Sequence, residues 1–171
     1  MSLCPPRTRR LSGVPTPEFI VALREKVGTT RLWLSGATAV VIRPGVDGEE
    51  VLLVCRADNG EWTPVAGIVD PGEHPQLTAV REVAEEAGVT AVVERLVWLT
   101  VTEVITYGNG DETQYIDHVF RCHWAGGDPH PVDGEASAAA FFPVDDMPPM
   151  SARHLEQVRV ALANEPEARL G

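Results

Sequence analysis

This sequence predicts an α/β fold: a mixed central sheet with helices packed on it. Three observations lead there. Runs rich in β-branched and apolar residues, such as Leu32 to Arg43 and Tyr115 to Trp124, read as strands. Turn signals such as Asp47-Gly48 and Asn109-Gly110 fold such runs into hairpins. Apolar residues recur at helical spacing before, between and after the strands, which implies layers of helix on sheet. The chain has 171 residues, one domain's worth, and its 44% hydrophobic content is enough for a core without staples.

Residues 1–30 read as an arm followed by a helix, and 31–171 as the rest of a single globular domain. Pro5, Pro6 and Pro15 make the arm irregular. Thr16 as N-cap, or Pro17 at the first helical position, starts a helix that Gly28 stops. Its stripe of Phe19, Ile20, Leu23 and Val27 must pack on its own sheet or on a second subunit, so a homodimer is an expectation. Sedimentation of a chain lacking its first 28 residues tests it, and unchanged mass counts against it.

Leu32 to Arg43 is the first strand, and Val51 to Arg56 returns beside it. Asp58-Asn59-Gly60 is a turn, and Trp62 to Gly72, broken by Pro64, Gly67, Pro71 and Gly72, reads as loop. Pro75 opens a second helix, with Leu77, Val80, Val83, Ala84 and Ala87 as its apolar stripe and Gly88 closing it in the left-handed region. Val92 to Tyr107 is one long strand or two, paired across Asn109-Gly110 with Tyr115 to Trp124. Ala125 to Ala136 is loop, Ala139 to Val144 a short strand, and Ala152 to Ala163 a final helix. Trp33 and Trp98 sit in strand patterns and read as core.

Composition excludes several functions. Lys plus Arg is 14 and Asp plus Glu is 25, a net charge of −11, which repels a phosphate backbone and argues against a nucleic-acid polymer as partner. Small nucleotides remain open, because a cation bridges carboxylates to phosphates. Three cysteines at wide spacing, with no Cys-x-x-Cys, speak against a zinc site and a disulfide scaffold. No apolar run is long enough for a membrane span, and Met1 to Arg10 lacks the pattern of a secretory signal, so a reducing, cytoplasmic setting is expected. No Gly-x-Ser-x-Gly, phosphate-binding Walker loop or dinucleotide loop is present. The five histidines share no metal-ligand spacing and read as structural or surface residues.

Chemistry concentrates between Gly67 and Val89. Glu82, Glu85 and Glu86 share one helical face, and like charges at this spacing repel. A solvated acidic face is the plain reading. The alternative is a site for a hard divalent cation, Mg²⁺ or Mn²⁺, beside a Gly- and Pro-rich loop that phosphate can approach.

The spacing decides between them. Gly67, five residues, Glu73, seven residues, then Arg81-Glu82-Val83-Ala84-Glu85-Glu86-Ala87-Gly88-Val89 resembles the Nudix box of the Nudix hydrolases at every defining position. The resemblance spans Leu32 to Ala163 and implies that family's α/β/α sandwich with a mixed central sheet. It implies an enzyme that hydrolyses phosphoric anhydrides with Mg²⁺. It assigns Glu82, Glu85, Glu86 and the carbonyl of Ala66 to the cation, Arg81 to holding loop against helix, and Glu85, Glu86 or the later Glu135 to proton transfer. Trp62 is a candidate base-stacking platform and Tyr107 a candidate substrate contact, each set against a packing role.

The implied substrate is a small nucleotide derivative of ADP-ribose or nucleotide-sugar type, or a nucleoside triphosphate. Ala66-Gly67 is similar to the ADP-ribose and nucleotide-sugar branch, but the proline expected about 15 residues beyond the box is replaced by Val104-Ile105-Thr106. Tyr107 lies near the offset associated with dinucleoside polyphosphate hydrolases, an alternative. A silent ligand-sensing module on the same fold is the alternative outside enzymes. Such a module would be expected to lose a box carboxylate, and none is lost.

Overall fold

The structure is a computed structural model and describes residues 16–171; the expected arm, but for its last residue, lies outside the described residues. Helix α1 spans Glu18–Val27 and ends at Gly28 in the left-handed region with φ 60°. The strands are β1 (Leu32–Pro44), β2 (Glu49–Arg56), β3 (Trp62–Thr63), β4 (Val65–Ile68), β5 (Thr90–Val101), β6 (Ile105–Thr106), β7 (Glu112–Gly126), β8 (Ala136–Pro143) and β9 (Arg169–Leu170). Helix α2 is Pro75–Ala87 and α3 is Ala152–Ala163.

One mixed sheet runs β3-β2-β1-β7-β5-β9, with β4 added on β1, β6 on β7 and β8 on β2. Strand β1 serves two partners along its length. Gly36 to Ala39 pair with β4, whereas Ile42 to Pro44 pair with β2. On its other edge β1 runs parallel to β7 from Leu32 to Ile42. The sheet therefore forks where β4 gives way to β2.

Side-chain alternation gives each face its own core. Ala37, Ala39, Val41, Phe120 and Cys122 pack under α2 with Val83 and Ala87. Val40, Ile42, Val97, Trp98 and Val119 pack under α3 with Val158 and Ala161. The expected α/β/α layering is thus present. Cys122 is a free buried thiol, and burial pushes its pKa up to about 12. Among the described residues no helix is long and apolar enough to cross a membrane.

Several local expectations are corrected. Val65–Ile68, read as loop because of Pro64 and Gly67, is strand β4, held by pairing to β1. The inward face of α2 is Thr78, Ala79, Val83, Glu86 and Ala87, while Leu77 is exposed. Trp33 is 57% exposed rather than core, because it lies at the start of β1 where no helix covers the sheet. Trp98 is buried as expected. Of the α1 stripe only Ile20 is buried, and Leu23 and Val27 face outward. The helix is fastened instead by Arg24, which donates to the carbonyls of Thr30 at 2.6 Å and Glu112 at 2.7 Å.

Candidate active site

The acidic segment sits where β4 leads through a tight loop into α2. Pro75 at the helix start and Gly88 at its end, left-handed at φ 66° and donating to the Ala84 carbonyl, fix its limits. Val83 and Ala87 anchor one side under the sheet, and this rotation decides where each glutamate points. Glu86 falls on the buried side and is only 6% exposed. Glu82 is largely enclosed, and Glu85 lies half open to solvent.

Gly67 explains the approach of strand to helix. A Cβ at this position would overlap the carboxylate of Glu82, so only glycine lets that carboxylate lie against β4. Ala66, whose carbonyl is the candidate fourth ligand, immediately precedes it and is exposed.

Arg81 organises the cluster. It donates from Nε and Nη2 to Glu73 at 3.1 and 3.0 Å, and from Nη1 to Glu82 at 2.8 Å and Glu85 at 2.9 Å. Thr78 Oγ1 also donates to Glu73 at 2.7 Å. These bonds hold the Glu73 carboxyl below its usual range and drive the guanidinium pKa upward. Arg81 therefore ties loop to helix and acts as a positioning residue.

The two enclosed carboxylates behave differently. Burial pushes Glu82 up to about 7, partly countered by Arg81. Glu86 is pushed up to about 9, first by burial and then by Glu135, Glu82 and Asp133. The loop before β8 brings Glu135 within electrostatic range of Glu82, Glu85 and Glu86. Glu135 is half-buried and also shifted upward, by burial and by Asp133. Its main chain is fixed by an Asx turn from Asp133, at 2.8 Å.

Among the described residues no three His, Cys, Asp or Glu side chains already converge on a single metal position, since Glu82 and Glu85 turn to Arg81. The donor set nevertheless fits a hard divalent cation. It is all oxygen, it crowds like charges, and it contains a buried carboxylate whose ionised form a bound cation would stabilise.

The remaining candidates separate. Tyr107 is 44% exposed, with its hydroxyl 3.3 Å from that of Tyr115. Trp62 is corrected: it is 5% exposed, and its ring meets Phe142 edge-on at 4.9 Å, so neither face is free to stack on a base. Trp62→Ala is expected to cost about 3–5 kcal/mol in urea unfolding and to leave base preference unchanged. Arg56 is a site residue that sequence reasoning missed. It is gripped by Asp58 at 3.0 and 2.6 Å and lies within electrostatic range of Glu86, Glu135 and Tyr107. A lone arginine at a strand end carries no signal of this; only the antiparallel pairing of β2 with β8 brings it to the glutamates.

The sequence and the fold resemble those of known proteins. A provisionally named nudix hydrolase of Caenorhabditis elegans is 34% identical over 115 residues, 65% of this chain and 29% of the relative. An uncharacterized Nudix hydrolase of Rhodococcus erythropolis is 34% identical over 108 residues, 60% of this chain and 55% of the relative. The chain thus spans about a third to a half of the length of these relatives. The crystal structure of a UDP-X diphosphatase superposes with a TM-score of 0.64 at 20% identity, covering 91% of this chain and 74% of that one, a likeness of fold. The family model described as NUDIX domain matches residues 34–161, and the chain belongs to the NUDIX family.

Proposed function

We propose that this protein is a Mg²⁺-dependent pyrophosphohydrolase acting on a small nucleotide derivative. The observation that carries the reading is the buried Glu86, clustered with Glu82 and Glu135 in an electrostatic setting that calls for a cation. Glu82, Glu85, Glu86 and the carbonyl of Ala66 would hold the ion. When bound, such an ion would supply charge neutralisation at phosphate and lower the pKa of a water molecule.

The chain's own groups do the rest. Arg81 keeps the Gly67-to-Glu73 loop against α2 and so holds the ligand carboxylates at the strand. Glu135 accepts the proton of the attacking water, a role that suits a half-buried carboxylate shifted above its ordinary range. Arg56 supplies positive charge at the rim, where a phosphate oxygen would compete with Asp58 for it.

The test is phosphate release from ADP-ribose, nucleotide sugars, dinucleoside polyphosphates, and normal and oxidised nucleoside triphosphates, with Mg²⁺ and then Mn²⁺. Turnover of one class, abolished by chelator, is the expected result, and its products identify the bond cut. Silence across the panel with intact metal binding would favour the ligand-sensing module instead.

A further inference from the structure

Helix α3 begins with half of a capping box. Ser151 is its N-cap, and Ser151 Oγ accepts from the main-chain N–H of His154, the third helical residue, at 3.3 Å. In a complete box that third residue is Glu or Gln and reaches back to the N–H of the cap. Histidine stands there instead, and the missing half comes from elsewhere in the chain. Glu61, ninety residues earlier at the end of the β2–β3 turn, accepts from Ser151 N–H through Oε1 at 3.0 Å. His154 Nδ1 stands 3.4 Å from the same oxygen without completing a hydrogen bond. Burial holds that imidazole below its ordinary pKa, so it is uncharged at neutral pH and Ser151 is the donor. The Glu61 carboxylate also lies at the positive end of α3, where a negative charge is favoured.

The turn that Glu61 closes carries Asp58, which grips the Arg56 guanidinium through both carboxylate oxygens. Pairing of β2 with β8 ends at Arg56 opposite Ala136, after a register shift, so the turn stands beyond the sheet. It is closed from Arg56 N–H to the Glu61 carbonyl at 2.9 Å, from Gly60 N–H to the Arg56 carbonyl at 2.9 Å, and from Glu61 N–H to Asn59 Oδ1 at 2.8 Å. The turn is therefore one compact unit, and the guanidinium points where Asp58 holds it. Ties on both flanks set where that unit stands. On one side Ala57 N–H donates to the Glu135 carbonyl at 2.8 Å. On the other, Glu61 binds the start of α3, a firm reference because Val158 and Ala161 are buried under the sheet. Arg56 lies between, within electrostatic range of both Glu86 and His154.

We infer that Glu61 is a positioning residue for phosphate recognition: by capping α3 from outside the helix it locks the 57–60 turn, and so aims Arg56 at the glutamate site. Glu61 acts through Arg56 and does not itself contact the phosphate. The inference rests on the reading of the chain as a pyrophosphohydrolase.

The experiment compares wild type, Glu61→Ala, Glu61→Gln, Arg56→Ala and the Glu61→Ala/Arg56→Ala double variant on a substrate that wild type turns over. Glu61→Ala is expected to raise KM about 10-fold, the worth of one charged hydrogen bond, with kcat within about 3-fold. Glu61→Gln keeps an acceptor for Ser151 N–H and should recover most of that loss. On the Arg56→Ala background Glu61→Ala should add less than about 2-fold, because the two residues act as one unit. A residue that only stabilises the fold would lower the melting temperature and add its loss in full on either background. Full additivity, a loss confined to kcat, or a glutamine variant no better than alanine overturns the proposal. Binding of AMP with Mg²⁺, followed by saturation-transfer NMR, needs no turnover. Weaker AMP binding in Glu61→Ala and Arg56→Ala alike, with no hydrolysis by any form, would uphold the clamp while overturning the enzymatic reading. A wild type that neither hydrolyses the panel nor binds AMP, or AMP binding that Glu61→Ala leaves unchanged where no form hydrolyses, overturns the clamp.

Discussion

Glu86→Gln is expected to lower turnover at least about 100-fold, the upper end of losses seen when groups supporting a metal ligand are removed. The same change is expected to make the metal-free chain harder to unfold. Glu86 is 6% exposed and its pKa is pushed up to about 9, from an ordinary 4.5, by burial and then by Glu135, Glu82 and Asp133. A carboxyl with a raised folded-state pKa gives its full stability below 4.5 and loses it as pH climbs towards 9. Glutamine keeps the shape and has no such loss. Thermal unfolding in chelator should therefore show a gap in favour of the variant that opens near pH 5 and widens to pH 9. Its ceiling at pH 7 is about 3 kcal/mol. Added Mg²⁺ should stabilise wild type and leave the variant unmoved. Near-normal turnover, or a gap that closes as pH rises, would remove Glu86 from the cation site.

Gly67→Ala is expected to cost roughly 10–100-fold in kcat/KM and in apparent Mg²⁺ affinity, the range for a displaced metal-ligand support. The added methyl would overlap the Glu82 carboxylate, which lies against this strand position and is paired with Arg81 at 2.8 Å. The obstacle is the far end of a side chain rather than backbone, so the fold survives and unfolding free energy moves by about 1 kcal/mol. Activity titrated with Mg²⁺, read beside far-UV circular dichroism, checks both halves. An unchanged metal dependence would mean that Glu82 does not act from this position.

Much of this architecture is legible in the sequence because local signals agree with it. Pro75 and Gly88 bracket α2, Asp47-Gly48 turns β1 into β2, and the box spacing singles out Glu82, Glu85 and Glu86. What was not legible depends on distant partners. Strand β4 reads as loop because its Pro and Gly neighbours mask a pairing that only β1 supplies. The buried side of α2 includes Thr78 and Glu86, since the sheet and the Glu135 loop fix its rotation, where apolar counting favoured Leu77. Trp62 belongs to the core because Phe142, eighty residues on, meets its ring. Glu61 carries no motif, and its 3.0 Å contact with Ser151 exists only once α3 lies on the sheet.

Arg81 gives its guanidinium at once to Glu73, Glu82 and Glu85. The chain thus carries an internal counter-ion for its own acidic cluster from the moment of synthesis. Assembly of this corner does not wait for a metal. Refolding rates should be indifferent to Mg²⁺, as expected if the proposed divalent ion is a late, exchangeable part. On the proposed function, the resident ion is then expected to follow the pool that the finished protein meets, and chelation followed by a different metal should reset it without unfolding; a metal exchange that requires denaturant would count against this.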